Sequence, residues 1–369
     1  MKLIKNLFFL TLLCFIAYFI FNVIDSPIQV TPYPFSIKAD PNLSKVKVKA
    51  DILILGDKLC LPIESRINAM SNNLSKNLRS KLIIQTSCFE NFGIHRLISH
   101  LKKYTLLPPV IILFTGSEEF AEKTFNVSQY KKIKKNFLLS QNEKIKSLTL
   151  VFKFLSKFIY KRIKKVVLTN ELTPLSMNEN DLINQRILEL KFLLFKNQLN
   201  ELIELAQVNN SKIIFVSPAI NYEEIKIRSC QNSTTIELEE QLNNYLKNLK
   251  NLKLKKIYNK LIVMKDHYQG NSKLFYVISK IAKQLGHLSD SKKYLKLSLS
   301  YSCNFENINP IFKSIIRELS TKYEYAYIDS NKYLPAKNAF IYQGVPQDLY
   351  YNKLEIELES QLKKILNLE

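Results

Sequence analysis

The chain has 369 residues, with 54 lysine and arginine residues against 32 aspartate and glutamate residues, which gives a formal net charge of +22. Hydrophobic residues make up 46% and charged residues 23%, a balance that excludes an intrinsically disordered chain and a protein with many membrane spans. The six glycines are too few for a collagen-like or glycine-rich chain. The length is sufficient for one large hydrophobic core or two smaller ones.

An apolar segment near the amino terminus predicts a membrane anchor. Residues 7–24 carry no charge, and at about 1.5 Å per residue they are just long enough to cross a hydrocarbon core. Lys2 and Lys5 precede this segment, whereas residues 25–37 contain no lysine or arginine, which places the amino terminus in the cytoplasm. A cleaved signal peptide is the alternative, but no A-x-A-like cleavage site follows. We therefore predict a single-pass membrane protein whose remaining residues are extracytoplasmic.

Strand-like and helix-like segments alternate beyond a proline-containing linker at residues 25–49. The predicted strands are continuously apolar rather than alternating, which is typical of strands that are buried on both faces. The pattern therefore predicts an α/β layered fold around a buried parallel sheet. The predicted strands are 51–55, 81–85, 110–114, 212–216 and 323–328, and the predicted helices are about 61–79, 94–103, 181–208 and 349–368, with a long helical region reaching about residue 165.

Residues 231–301 interrupt this alternation and are predicted to be helical throughout. From residue 271 onwards, small residues, a turn glycine and an apolar residue fall at tetratricopeptide-like intervals, namely Ser279, Gly286, Ser291, Leu295 and Ser298. Serine replaces the usual glycine and alanine of that repeat. A generic helical hairpin is therefore the alternative interpretation.

Four cysteines remain when Cys14 of the apolar segment is set aside: Cys60, Cys88, Cys230 and Cys303. Disulfides can form outside the cytoplasm, and three pairings of these four residues are formally possible. No histidine accompanies the cysteines at metal-ligand spacing, so we predict no zinc site. We likewise predict no other metal and no cofactor.

Short motifs occur at fixed places relative to the predicted strands. The first strand ends in Leu55-Gly56-Asp57-Lys58, and the third ends in Thr115-Gly116-Ser117-Glu118-Glu119-Phe120. Ser217-Pro-Ala-Ile-Asn-Tyr222 follows the fourth strand, Asn309 to Glu318 leads to the last strand, and FIYQGVPQD spans Phe340 to Asp348. Their order and spacing resemble the GDSL or SGNH hydrolase superfamily, specifically its membrane-anchored bacterial branch with a tetratricopeptide-like helical insert before the last strand.

This resemblance implies a three-layer, SGNH-hydrolase-like (flavodoxin-like) parallel sheet with an all-helical insert, preceded by one transmembrane helix in the bacterial inner membrane. It also implies that Cys60 approaches Cys88 at one end of the sheet and that Cys230 approaches Cys303 at the two ends of the insert. Two disulfides are therefore expected, and buried reduced thiols are the alternative. The implied divisions are residues 1–24 as cytoplasmic tip and anchor, 25–49 as linker, 50–230 as the first part of the α/β domain, 231–303 as the insert, and 304–369 as the last strand and helix.

The chemistry of that family needs a serine nucleophile, a histidine base, an orienting aspartate and an oxyanion-binding asparagine. The resemblance places other residues in these four positions, and they do not suit that chemistry. Lys58 stands at the serine position and Glu118, whose carboxylate repels a developing negative charge, at the asparagine position. Gln343 and Pro346 stand at the aspartate and histidine positions. The family's second-block glycine is not evident, because the second strand runs into Thr86-Ser87-Cys88.

We therefore predict an SGNH-like protein without catalysis, which binds or scaffolds in the cell envelope. The alternative is an active esterase or acyltransferase that acts on envelope glycans or lipids. Because Lys58 and Glu118 follow neighbouring strands, we expect them to form a structural ion pair, with new acid/base chemistry as the alternative.

Half of the net charge lies between Ala121 and Lys165, where 13 lysine and arginine residues face only two glutamates. A helix through this stretch would place four lysines on one face, in a basic amphipathic pattern: Lys153, Lys157, Lys161 and Lys164. The expected partners are anionic lipid headgroups, an envelope polysaccharide or an envelope protein. A solvated lysine face is the alternative, and nucleic acid is not expected because no nucleic-acid-binding motif accompanies the lysines.

Overall fold

The structure is a computed structural model of the chain, which divides into two compact units. The basic unit comprises residues 1–39 and 124–168, and the sheet unit comprises residues 40–123 and 169–369. The residues that the structure describes are 9–14, 37–38, 49–76, 82–120, 124–164, 166–167, 185–222, 225–230, 234–249, 253–304, 308–334, 340–342, 345–346 and 350–367.

A five-stranded parallel sheet forms the centre of the sheet unit. Its strands in chain order are β1 (Ile52–Gly56), β2 (Ile84–Cys88), β3 (Val110–Phe114), β4 (Lys212–Ser217) and β5 (Ala326–Asp329). Their order across the sheet is β2-β1-β3-β4-β5, with every neighbouring pair parallel. This is the flavodoxin-like strand order.

The helices beyond residue 14 lie in the sheet unit, which contains the insert, and in the basic unit, which contains α4 to α6. They are α1 (Leu61–Glu64), α2 (Ile67–Ser75), α3 (Ile94–Leu101), α4 (Tyr130–Ser140), α5 (Glu143–Val151), α6 (Ser156–Ile159), α7 (Gln185–Val208), α8 (Ile236–Lys247), α9 (Leu254–His267), α10 (Ser272–Gln284), α11 (Leu288–Ser300), α12 (Pro310–Lys322), α13 (Ser330–Tyr333) and α14 (Tyr351–Ile365).

Two hydrophobic cores cover the two faces of the sheet. On one face, Leu53, Leu55 and Leu113 pack with α3, α7 and α12. On the other, Ile54 and Ile112 pack with α1, α2 and α14. All five residues of β1 and of β3 are buried, which explains why these strands are continuously apolar. The predicted α/β fold with a buried parallel sheet is confirmed.

The helical insert consists of α8 to α11, with α10 and α11 packed as an antiparallel hairpin. Buried serines hold this hairpin together, because Ser279 Oγ donates to the carbonyl of Ser291 at 2.8 Å and Ser298 Oγ donates to the carbonyl of Ser272 at 2.7 Å. Gly286 has a φ of +80° in the turn between the two helices. The serines that replace glycine and alanine therefore act as interhelical donors.

Several predicted boundaries in the sheet unit differ from the structure. The helix predicted at 61–79 is two helices, α1 and α2, separated at Ser65, whose hydroxyl donates to the carbonyl of Pro62. The second strand begins at Ile84 rather than 81. The last strand begins at Ala326 rather than 323, because α12 continues to Lys322 and Glu324 then adopts a left-handed φ of 56°.

The prediction that one long helix carries the four lysines is wrong. In the basic unit the chain forms α4, α5, a 3-10 turn at Lys153–Leu155 and the four-residue α6, which ends at Tyr160 with extended backbone. The Asn136 side chain donates to the carbonyl of Lys161 and accepts its N–H, both at 2.8 Å, which holds the following segment outside any helix. Lys153, Lys157, Lys161 and Lys164 therefore do not line one helical face.

The amino-terminal anchor lies mostly outside the described residues. Residues 9–14 are helical. Within the described ranges, no helix is both long and apolar enough to cross a membrane. In the same unit, the two-residue strand Ile37–Lys38 pairs in parallel with Val166–Val167.

Candidate functional site

The candidate site lies at the carboxyl edge of the sheet, where β1 and β3 are neighbours. In this strand order the chain leaves β1 and β3 in opposite directions, and ligands of such folds bind in the crevice between them. Asp57 and Lys58 follow β1, and Thr115 to Glu119 follow β3. Gly56 is required at the end of β1, because a Cβ there would lie only 2.5 Å from the Cβ of Phe114 and 2.9 Å from the Cβ of Cys60.

Lys58 and Glu118 form an ion pair in this crevice. The Glu118 side chain is 7% exposed and the Lys58 side chain 23% exposed, so both charges are largely removed from water. Burial raises the pKa of the Glu118 carboxyl above its ordinary value, and the adjacent Lys58 ammonium counteracts part of that rise. The structure thus brings together the two residues that stand at the predicted nucleophile and oxyanion positions.

Asp57 is completely buried and connects the two loops of the crevice. One carboxylate oxygen accepts the N–H of Leu59 at 3.1 Å and the other accepts the N–H of Ser117 at 3.0 Å. Burial raises the pKa of Asp57, whereas its hydrogen bonds with Ser117 lower it. Asp57 therefore fixes the turn that carries Lys58, and its buried carboxylate is not exposed to a ligand.

A second buried acid, Glu119, lies beside this pair. Its carboxylate accepts the N–H of Ile94 at 3.1 Å and the hydroxyl of Thr115 at 3.3 Å. Lys191 of α7 is also buried and donates to the carbonyl of Glu119 at 2.5 Å. Burial raises the pKa of Glu119 to about 8, although the charge of Lys191 lowers it.

Sequence reasoning did not single out Glu119, Lys191 or Gly93 as part of the site. A Cβ at Gly93 would lie 3.2 Å from Oε2 of Glu119 and 3.5 Å from Nδ1 of His95, so this glycine leaves room for both groups. One signal for Lys191 was present, because it stands three residues from Leu188 and Leu194 within the apolar stripe of α7. A lysine inside such a stripe indicates a buried charge that needs a partner.

Gln343 and Pro346 are the other two residues that stand at predicted catalytic positions. Gln343 lies outside the described residues. Pro346 belongs to the short strand Val345–Pro346, which pairs in antiparallel with Phe340–Tyr342 and lies next to the 3-10 turn Lys58–Cys60. The backbone of the predicted histidine position therefore lies close to the turn that carries Lys58.

The structure bonds Cys60 to Cys88 and Cys230 to Cys303, with Cα–Cα distances of 5.4 and 5.2 Å. The first pair links the turn that carries Lys58 to the end of the edge strand β2. The second joins the two ends of the helical insert within the sheet unit. In the part of the chain that the structure describes, no three His, Cys, Asp or Glu side chains form a metal-binding group.

A serine and a histidine meet elsewhere, on β2 and α3. Nε2 of His100 lies 3.1 Å from Oγ of Ser87. Burial lowers the pKa of His100, and the charge of Lys103 lowers it further. The lowered pKa favours the neutral imidazole, which is the form that can accept a proton.

The basic unit exposes several cations, including Lys157, Lys161 and Lys164. The side chain of Lys153 lies outside what the structure describes. Gln129, just before α4, accepts the N–H of Lys164 at 2.8 Å, which holds the segment after α6 in place.

No protein-family model matches the chain, and no curated protein matches it either. Among solved structures, a proposed GDSL-like lipase from Parabacteroides merdae is 11% identical, with 88% of this chain and 100% of that chain covered and a TM-score of 0.36. A proposed acylhydrolase from Bacteroides fragilis is 9% identical, with 87% and 91% covered and a TM-score of 0.34. A GDSL-like lipase from Bacteroides thetaiotaomicron is 8% identical, with 85% and 87% covered and a TM-score of 0.34. TM-scores below 0.5 do not establish a shared fold, so the family resemblance rests on the motifs and the strand order.

Proposed function

We propose that this chain is an SGNH-like protein without hydrolase activity, which binds or scaffolds a component of the bacterial cell envelope. The observation that carries the proposal is the Lys58–Glu118 ion pair, which occupies the crevice where a substrate of such a fold would bind. An ammonium group in place of the nucleophile cannot form an acyl-serine. A carboxylate in place of the oxyanion donor repels the charge that would develop.

The neighbouring groups support the same proposal. Asp57 is buried and accepts two backbone N–H groups, so it is not available to a substrate. Glu119 is buried and accepts the N–H of Ile94. Removal of nucleophile, base and oxyanion donor together leaves little of a hydrolase mechanism.

We further propose that residues 7–24 anchor the protein in the cytoplasmic membrane, with the amino terminus inside and the bulk of the chain extracytoplasmic. The uncharged segment and the lysines before it support this location. The two disulfides support it as well, because such bonds persist in oxidising compartments. The proposed partners are anionic lipid headgroups, an envelope polysaccharide or an envelope protein.

A second candidate function, an esterase or acyltransferase, is favoured by the contact between Ser87 and His100. This pair would supply a nucleophile and a neutral base. Among the residues that the structure describes, no carboxylate is hydrogen-bonded to the His100 ring to orient it.

A serine-reactive fluorophosphonate probe separates the two functions. We expect no specific adduct on the folded native chain, with an active serine hydrolase as the positive control and the heat-denatured chain as the measure of unspecific labelling. The Ser87→Ala variant is treated in parallel. An adduct that disappears in Ser87→Ala would replace the leading proposal with the second function, and one that survives in Ser87→Ala would place an active nucleophile elsewhere and overturn the loss of catalysis.

A further inference from the structure

Two phenylalanines of the basic unit are exposed next to its cations. Phe158 is 81% exposed and Phe154 is 50% exposed. They stand four residues apart, Phe154 in the 3-10 turn Lys153–Leu155 and Phe158 in α6. Leu148, at the end of the preceding helix, is also 43% exposed. Exposed apolar side chains in a group, rather than singly, indicate a surface that contacts another molecule.

Positive charges surround these phenylalanines along the chain. Lys157 lies between them in sequence, and Lys161, Arg162 and Lys164 follow, all exposed. The backbone that carries the last three is fixed by Asn136, which makes two hydrogen bonds to Lys161, and by Gln129, which accepts the N–H of Lys164. The backbone at Lys161 and Lys164 is therefore held in place by these hydrogen bonds.

This cationic segment is also connected to the amino-terminal part of the chain. Val166–Val167 pairs with Ile37–Lys38, and residue 37 follows the apolar segment 7–24 by only 13 residues. Thirteen residues span at most about 45 Å when fully extended. A bilayer crossed by residues 7–24 would therefore be within reach of the basic unit.

We infer that the basic unit docks on the surface of an anionic phospholipid bilayer, with Phe154 and Phe158 inserted between the lipids and Lys157, Lys161 and Lys164 on the headgroups. A bilayer accounts for both features of the surface, because its interface accepts aromatic rings and its anionic headgroups attract cations. An acidic polysaccharide offers the charge but gives no reason for exposed phenylalanines. The inference rests on the proposed membrane location and adds the orientation of one unit at the membrane.

The absence of tryptophan from the sequence provides a direct test. The full chain with Phe158→Trp carries a single indole, whose emission shifts to the blue and is quenched by lipids brominated on their acyl chains when it enters the interface. We expect both effects in phosphatidylcholine vesicles that contain phosphatidylglycerol. The control is Ile356→Trp, at a residue of α14 that is 67% exposed, which is expected to keep water-like emission and remain unquenched.

The lysines are tested in the same single-tryptophan background. Addition of Lys157→Gln and Lys161→Gln to Phe158→Trp should require vesicles richer in phosphatidylglycerol for the same shift. Each lysine removed is expected to weaken docking roughly fivefold, the equivalent of about 1 kcal/mol at an anionic surface. Docking that is unchanged by both substitutions would overturn the role of the lysines.

Emission of Phe158→Trp that stays water-like on anionic vesicles, while the chain remains membrane-bound, would overturn the inference. The anchor is assessed separately by a carbonate wash of the same vesicles. If carbonate releases the chain, the proposed transmembrane anchor is contradicted. The proposed surface docking is not, because a blue shift on anionic vesicles would still demonstrate it.

Discussion

The carboxyl edge of the sheet and the basic unit place their charges in opposite environments. At the sheet edge, Asp57 is fully buried and Glu118 and Glu119 are each 6% exposed, with lysines as neighbours. In the basic unit, Lys157, Lys161 and Lys164 are exposed. A buried charge requires a partner at a fixed position, so the sheet edge is committed to internal contacts. The exposed lysines of the basic unit face water instead, which is the position that the proposed docking on an anionic surface requires.

The largest expected effect comes from the removal of a buried cation. Lys191→Met deprives the buried carbonyl of Glu119 of its charged donor, which should lower the free energy of unfolding by about 3 kcal/mol. Urea denaturation of the full chain measures the change. The matched control is Lys196→Met on the same helix, where an exposed pair with Glu318 contributes about 0 to 1 kcal/mol. Equal losses in both variants would remove the distinction between the two environments.

The effect expected from pH is smaller than this within any one pH unit, and it accumulates across several units. Because the pKa of Glu119 is raised from 4.5 to about 8, the folded protein favours the protonated carboxyl. Its contribution to stability is therefore fully present below pH 4.5 and is lost as the pH rises through 8. Relative to Glu119→Gln, the native chain should lose roughly 1 kcal/mol per pH unit across this window. Parallel pH profiles of the two proteins would show that Glu119 is already ionised in the folded state.

The smallest effect on folding is expected in the basic unit. Lys157→Gln with Lys161→Gln should leave the free energy of unfolding within about 0.5 kcal/mol of the native value, because both side chains are exposed. The urea midpoint in the absence of lipid provides the measurement. A loss comparable to that of Lys191→Met would mean that these lysines stabilise the fold and are not reserved for a partner.

Much of the sheet could be predicted from the sequence because its signal is local. β1, β3 and β4 are continuous apolar runs, and their positions agree with prediction to within one residue. The approach of Lys58 to Glu118 also followed from sequence, since parallel strands bring their carboxyl ends to one edge.

The parts that could not be predicted depend on contacts between residues distant in sequence. No single helix runs through Lys153 and Lys161, because the side chain of Asn136, 25 residues before Lys161, replaces helical hydrogen bonds at Lys161. Helix periodicity alone does not reveal such a competitor. Glu119 looked equivalent to Glu118 in sequence, and only the positions of α3 and α7 give it Ile94 and Lys191 as partners.

The disulfide between Cys230 and Cys303 has a consequence for the unfolded chain. Its Cα atoms are 5.2 Å apart, although 73 positions separate them in sequence. The bond keeps the two ends of the helical insert together even when no helix is formed, which removes conformational freedom from the unfolded chain. Reduction is therefore expected to destabilise the protein mainly through its unfolded state, with the folded contacts left in place.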